Sequence, residues 1–187
     1  MRLTGAQRST RDALASDMDP FLFWLESTEF STWVRESPSV FAFPAILSCH
    51  TVGMGLVAGI NAALALRILG VGPGIAIREM KRFFPVMWFG FWLNAISGVV
   101  LLIAYPTKAL TNPLFYFKLA LVAIAIGLVK PIEGRVFDDP TRARDPAWDP
   151  LSGPVKRLAI ASLVSWVGVI TSGRLLAYTY SRLMQGF

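Results

Sequence analysis

The chemistry open to this chain is concentrated in a few polar residues set among apolar ones. The stretch from Pro38 to Gly70 carries Ser48, Cys49, His50 and Thr51 in its first half, including the one histidine and the one cysteine of the chain. Asn94 and Ser97 lie midway along a second apolar stretch. Lys118 lies near the start of a third, and Thr171, Ser172 and Arg174 lie in the far half of a fourth. Counted at ~1.5 Å per helical residue, these groups fall at one depth in a bundle. As a site, His50 is a ligand or proton acceptor, and Lys118 and Arg174 form a cationic rim for an anionic group. As plain structure, His50 donates a hydrogen bond to a helix carbonyl and the two cations snorkel to headgroups.

A b-type haem or related macrocycle is the natural cofactor for a membrane four-helix bundle, with Lys118 and Arg174 pairing with its propionates. One histidine leaves the sixth position to a methionine such as Met87, to a second subunit, or open. Copper(I) is the other option, since Cys49, His50 and Met54 are soft ligands close in sequence. Cys49, however, points about 100° away from His50 on a helix. The candidate binding residues are therefore His50, Met54, Asn94, Lys118 and Arg174, with His50 the ligand of any metal. No catalytic constellation is visible. A single cysteine excludes an internal disulfide and any CxxC motif. GVGPG, at Gly70–Gly74, follows no strand and lacks the Lys-Ser/Thr of a phosphate loop.

Those residues need elements to position them, and the composition names the kind. Of 187 residues 54 % are hydrophobic and only 16 % charged, below the roughly 25 % usual in soluble domains. The apolar residues come in blocks, each long enough for a hydrocarbon core that needs about 20 helical residues. The spacing predicts spans over about 39–66, 84–105, 113–129 and 157–178. An all-α fold follows, a four-transmembrane-helix bundle in residues 38–187. Residues 1–18 read as a polar tail without the apolar core of a signal peptide. Residues 19–37 read as an interfacial amphipathic helix: Phe21, Trp24, Leu25 and Trp33 recur at helical spacing, and Glu26, Glu29, Arg35 and Glu36 forbid a span. Pro106 to Asn112 reads as a tight turn, and Lys130 to Lys156, with five prolines, as an extramembrane loop.

The net charge of +6 reads as loop charge beside anionic lipid. No arginine-rich run interleaved with aromatics is present, so no nucleic-acid partner is expected. Arg67, Arg78, Lys81 and Arg82 crowd one connector, and Lys130, Arg135, Arg142, Arg144, Lys156 and Arg157 crowd the other. The positive-inside rule then places both connectors in the cytoplasm and both termini in the periplasm of a bacterial inner membrane.

Four stretches taken in order, FWLESTEFSTWVRESPSVFAFPAILSCHTVGMGLVAG, ALRILG, NPLFYFKLALV and SGRLLAY, resemble a family of small bacterial integral membrane proteins of unknown function. The resemblance covers about residues 20–180. It implies an amphipathic first helix, four spans and attention to His50, Lys118 and Arg174, and it implies no activity. Where that family often has an acid just before its "LRLLG"-like stretch, this chain has Ala65. The layout is more distantly similar to copper-resistance D and cytochrome b561-like bundles, which carry further histidines. The sequence thus points to a non-catalytic membrane subunit in a larger complex or homo-oligomer, with a haem-like group at His50 as an option. The alternative is a small transporter or redox carrier acting alone.

Overall fold

The computed structural model describes residues 20–138 and 153–185. Among these every regular element is helical. Two short helices, α1 (Pro20–Ser27) and α2 (Glu29–Glu36), precede the long α3 (Phe43–Ile68). A 3-10 turn over Ile77–Phe83 leads into α4 (Phe84–Ala104), followed by the short α5 (Pro106–Leu110). Then come α6 (Pro113–Gly127), α7 (Val129–Phe137) and α8 (Gly153–Gln185). Four stretches, Phe43–Ile68, Ile77–Ala104, Pro113–Phe137 and Gly153–Leu176, are long and apolar enough to cross a membrane. The all-α, four-span fold class is the one expected.

Each span starts with a proline in its first turn, where the missing N–H would be an orphan anyway: Pro44, Pro85, Pro113 and Pro154. Asn112 adds a side-chain cap, its Oδ1 accepting from the Leu114 N–H at 3.0 Å. Helix α3 packs most extensively on α4, α6 on α8, and α3 on α8, so the spans stand in the order α4–α3–α8–α6. Neighbours run antiparallel. His50 faces Asn94 and Gly53 faces Gly90, so numbers rise along α3 as they fall along α4.

The α3–α4 crossing is as close as backbones allow. A Cβ on Gly53 would lie 2.6 Å from the Asn94 N and 2.7 Å from the Gly90 O, and one on Gly90 would lie 2.6 Å from the Leu56 Cβ. Only glycine fits at either place. The core runs from there to the connector end through Val57, Leu64, Met87, Ala125, Val129, Ala159 and Trp166.

The connector end is closed by aromatic and ionic contacts. Phe84 meets Phe137 edge to face with centroids 5.6 Å apart, and Lys81 pairs with Asp138 at 3.4 Å. The α3 exit turns through Gly70 and Gly72, both at positive φ, and Arg67 holds the turn through the Ile75 carbonyl at 2.5 Å.

Three local expectations differ from the structure. The stretch expected as one helix over 19–37 is two, because Thr28 is extended (φ −61°, ψ 148°) and caps α2 by accepting from the Ser31 N–H. The turn over 106–112 holds the one-turn helix α5. The segment after Lys130 continues as helix α7, because Pro131 sits in its first turn and Val129, Ile132 and Val136 bury one face. The expected tail 1–18 and most of the 130–156 loop lie outside the described residues.

Candidate functional site

His50 is the seventh residue after the start of α3, on the face turned to α4 and one turn before the Gly53–Gly90 crossing. That close approach brings α4 backbone within reach of the imidazole. His50 Nδ1 lies 3.0 Å from the Asn94 carbonyl oxygen and 3.3 Å from Ser97 Oγ. A carbonyl only accepts, so the shorter contact is a hydrogen bond when Nδ1 carries the proton. The Ser97 hydroxyl donates to the Leu93 carbonyl at 2.6 Å, which leaves its oxygen as an acceptor as well. Asn94 answers from the other side, its Nδ2 donating to the His50 carbonyl at 2.7 Å. Gly98 gives the ring room: a Cβ there would sit 3.1 Å from His50 Cε1.

Asn94 Nδ2 also lies 3.3 Å from Nδ1, but the shorter contact to the carbonyl favours the tautomer with Nδ1–H and an Nε2 lone pair. Among the described residues no hydrogen bond reaches Nε2, and the atom is not sealed inside the bundle. An imidazole held by Nδ1–H···O=C with Nε2 free is the arrangement in which histidine ligates a metal or accepts a proton.

The other expected residues scatter around this pair. Asn94 is part of it. Met54, one turn beyond His50 on α3, packs against the apolar core. Lys118 on α6 is half-buried and lies against α8, with Nζ 3.9 Å from the place a Cβ on Gly173 would take. Arg174 is exposed on α8 and makes no hydrogen bond or ion pair among the described residues. Thr171 is also exposed, and Ser172 is turned back on the Val169 carbonyl at 3.1 Å. The structure thus brings His50 and Asn94 together with Ser97, places Lys118 against Gly173 of α8, and leaves Arg174 exposed.

Three sequence-level options change with the geometry. Met87 is buried in the core, and the α3–α4 register sets it opposite residues beyond Leu56, roughly 10 Å or more along the axis from His50. It does not supply a second ligand to the same ion. Cys49 is exposed and stands about 100° round α3 from His50, so the two do not readily share an ion. Among the described residues no three of His, Cys, Asp and Glu gather into a metal cluster.

Two features escaped the sequence reading. Trp166 is 3 % exposed on α8, and its indole Nε1 is the buried side-chain polar atom left without a partner among the described residues. An indole in an apolar run gives no sign of whether its N–H will be met. The second is Arg35 of α2. Its Nη1 donates to the Ala104 carbonyl at 3.0 Å and to Ser31 Oγ at 3.0 Å, and its Nη2 donates to the Glu26 carbonyl at 2.8 Å. Arg35 caps the carboxyl end of α4, where carbonyls lack intrahelical partners and a cation suits the dipole. Ser31 adds its hydroxyl to the Ile103 and Ala104 carbonyls, and Thr107 donates to Glu26 Oε2 at 2.9 Å.

Comparison of the chain with family models, with curated proteins and with solved structures gave no match.

Proposed function

We propose that this chain is a non-catalytic subunit of a larger membrane complex or homo-oligomer, completed at His50 by a group from outside the chain. One observation carries the reading. The imidazole is held by Nδ1 within a spanning segment while Nε2 has no partner in the described chain. A polar atom left unpaired in hydrocarbon costs several kcal/mol, so a partner or ligand at Nε2 is favoured. Support also comes from α3, where Gly55 and Gly59 have open space at their Cβ positions and leave a shallow stripe of backbone facing outward. A second helix packs closely on such a stripe.

A b-type haem or related macrocycle is the cofactor that suits a free Nε2 at this depth, and it would supply one-electron chemistry. With Met87 out of reach, His50 is the one described residue that would hold such a group. A stand-alone transporter is the weaker reading. Towards the connector end Asn61 donates to the Val57 carbonyl at 2.7 Å and Ser165 to the Ala161 carbonyl at 2.8 Å. Both are tied to their own helices, which leaves little to line a hydrated path.

The bacterial inner membrane, with cytoplasmic connectors and periplasmic termini, is the placement that the basic connectors support. The resemblance to the small bacterial four-span family agrees with this picture. The test is purification in mild detergent with particle mass and visible spectrum read together. The reading expects a particle larger than one chain, or a Soret band, and loss of either in His50→Ala. A colourless single-chain particle, unchanged by His50→Ala, overturns it.

A further inference from the structure

Helices α4 and α6 are held together by other elements rather than by each other. They stand at opposite ends of the α4–α3–α8–α6 row and have little contact along their length. At the connector end Phe84 and Lys81 meet Phe137 and Asp138. At the far end two sets of contacts face each other. Arg35 and Ser31 both donate to the Ala104 carbonyl, which ties α2 to α4. Tyr116 of α6 donates to the Leu110 carbonyl at 3.0 Å, which ties α5 to α6.

Glu26, in the last turn of α1, joins the two sets. Its Oε2 accepts from the Thr107 hydroxyl of α5 at 2.9 Å, and its Oε1 lies 3.7 Å from Arg35 Nη1. The Glu26 carbonyl accepts from Arg35 Nη2 at 2.8 Å. These polar contacts matter to the placing of α1 because that helix has no buried residue. Phe23 and Trp24 keep half or more of their surface uncovered, whereas α2 buries Ser31 and Val34 completely. The extended Thr28 separates the two helices. A segment with so little buried apolar surface opens locally at low cost, and α1 can leave while α2 stays.

We infer that α1 is a strap, hinged at Thr28, that closes the far end of the α4–α6 pair, with the Glu26 carboxylate as its clasp on Thr107. With the clasp made, α4 and α6 keep one spacing at that end. With it open, α5 and α6 move away from α4 while α2 stays on the Ala104 carbonyl. Asn94 and Ser97 lie within about 15 Å of the strapped end along α4, so the device acts on the part of the bundle that holds His50. The inference does not depend on what completes His50. The spacing is read with no group at Nε2, so either reading can fail alone.

The test uses the full chain carrying Cys49→Ser in lipid nanodiscs. One nitroxide pair is placed at Val99→Cys and Phe117→Cys, and another at Val86→Cys and Ile124→Cys, all exposed positions on α4 and α6. Pulsed electron spin resonance reads the distance within each pair. Glu26→Ala and Thr107→Val remove the clasp from opposite sides. Each should lengthen and broaden the Val99–Phe117 distance and leave the Val86–Ile124 distance, which reports an intact bundle, as in the wild type. Glu29→Gln removes a carboxylate exposed at the start of α2 and should change neither distance. In the unlabelled wild type the amides of α1 should exchange about tenfold faster than those of α2. An unchanged Val99–Phe117 distance in either clasp variant overturns the inference. So does an equal change in both pairs, or in Glu29→Gln. Equal protection of α1 and α2 in the wild type overturns it whether or not any variant folds.

Discussion

His50 and Asn94 are joined by two hydrogen bonds that run in opposite directions, ring to carbonyl and amide to carbonyl. This reciprocity holds the ring against α4 and favours the Nδ1–H tautomer. It depends on glycine nearby, because Gly53 and Gly90 let the two backbones touch and Gly98 makes room for the ring. Substituting Gly53 by leucine should separate the helices and destabilise the protein by about 1–3 kcal/mol, read as a lower Tm in detergent. Gly59→Leu, on the open outward stripe, should leave the isolated chain's Tm unchanged. Similar losses at both positions would mean that the close crossing is not what sets the site.

The sequence makes His50, Asn94 and Ser97 legible as a group, because polar residues in hydrocarbon must meet one another and their depths agree. It does not reveal that Arg174 is turned away. Helix rotation there is set by how Gly168 and Leu121 seat α8 against α6, since a Cβ on Gly168 would meet the Leu121 side chain at 2.7 Å. That contact is between distant parts of the chain.

At the scale of elements, α1 and α2 are not merely laid alongside the bundle. Arg35 and Ser31 fasten them to the end of α4, and Thr107 of α5 reaches back to Glu26. Phe21, Trp24 and Trp33 keep roughly half of their surface free for lipid or a partner. Arg35→Met should release this hairpin, costing about 1–3 kcal/mol from hydrogen bonds to a charged group. Limited proteolysis near Ser27–Glu29 should then accelerate while the four spans stay inserted. Unchanged cleavage would show that apolar packing alone holds the pair. The spans were readable because a long uncharged run has few alternatives. The latch was not, since a charge in an amphipathic stretch reads as solvated until the carbonyls it caps are known. The same holds for α7, whose buried face is defined only by its contact with α8 and Phe84.

At the scale of the molecule, one end of the bundle is well sealed and basic, and the other holds the polar groups. If the sealed end is cytoplasmic, a cysteine at Gly134, exposed on α7, should resist a membrane-impermeant thiol reagent in intact cells carrying Cys49→Ser. A cysteine at Ser27, exposed at the other end, should be labelled. The opposite pattern would invert the molecule in the membrane. The connectors' basic residues made this expectation available from sequence. What meets His50 Nε2 was not available from sequence, and among the described residues nothing reaches it.

The most direct test of the His50 geometry uses the fact that the sequence holds one histidine. Selective 15N-histidine labelling gives a single imidazole, and its two nitrogen shifts in lipid report which one carries the proton. The account predicts a protonated Nδ1 and an unprotonated Nε2 in the purified chain, with the Nε2 resonance moving when the native assembly or cofactor is present. A proton on Nε2, or the averaged shifts of a freely exchanging ring, would contradict it.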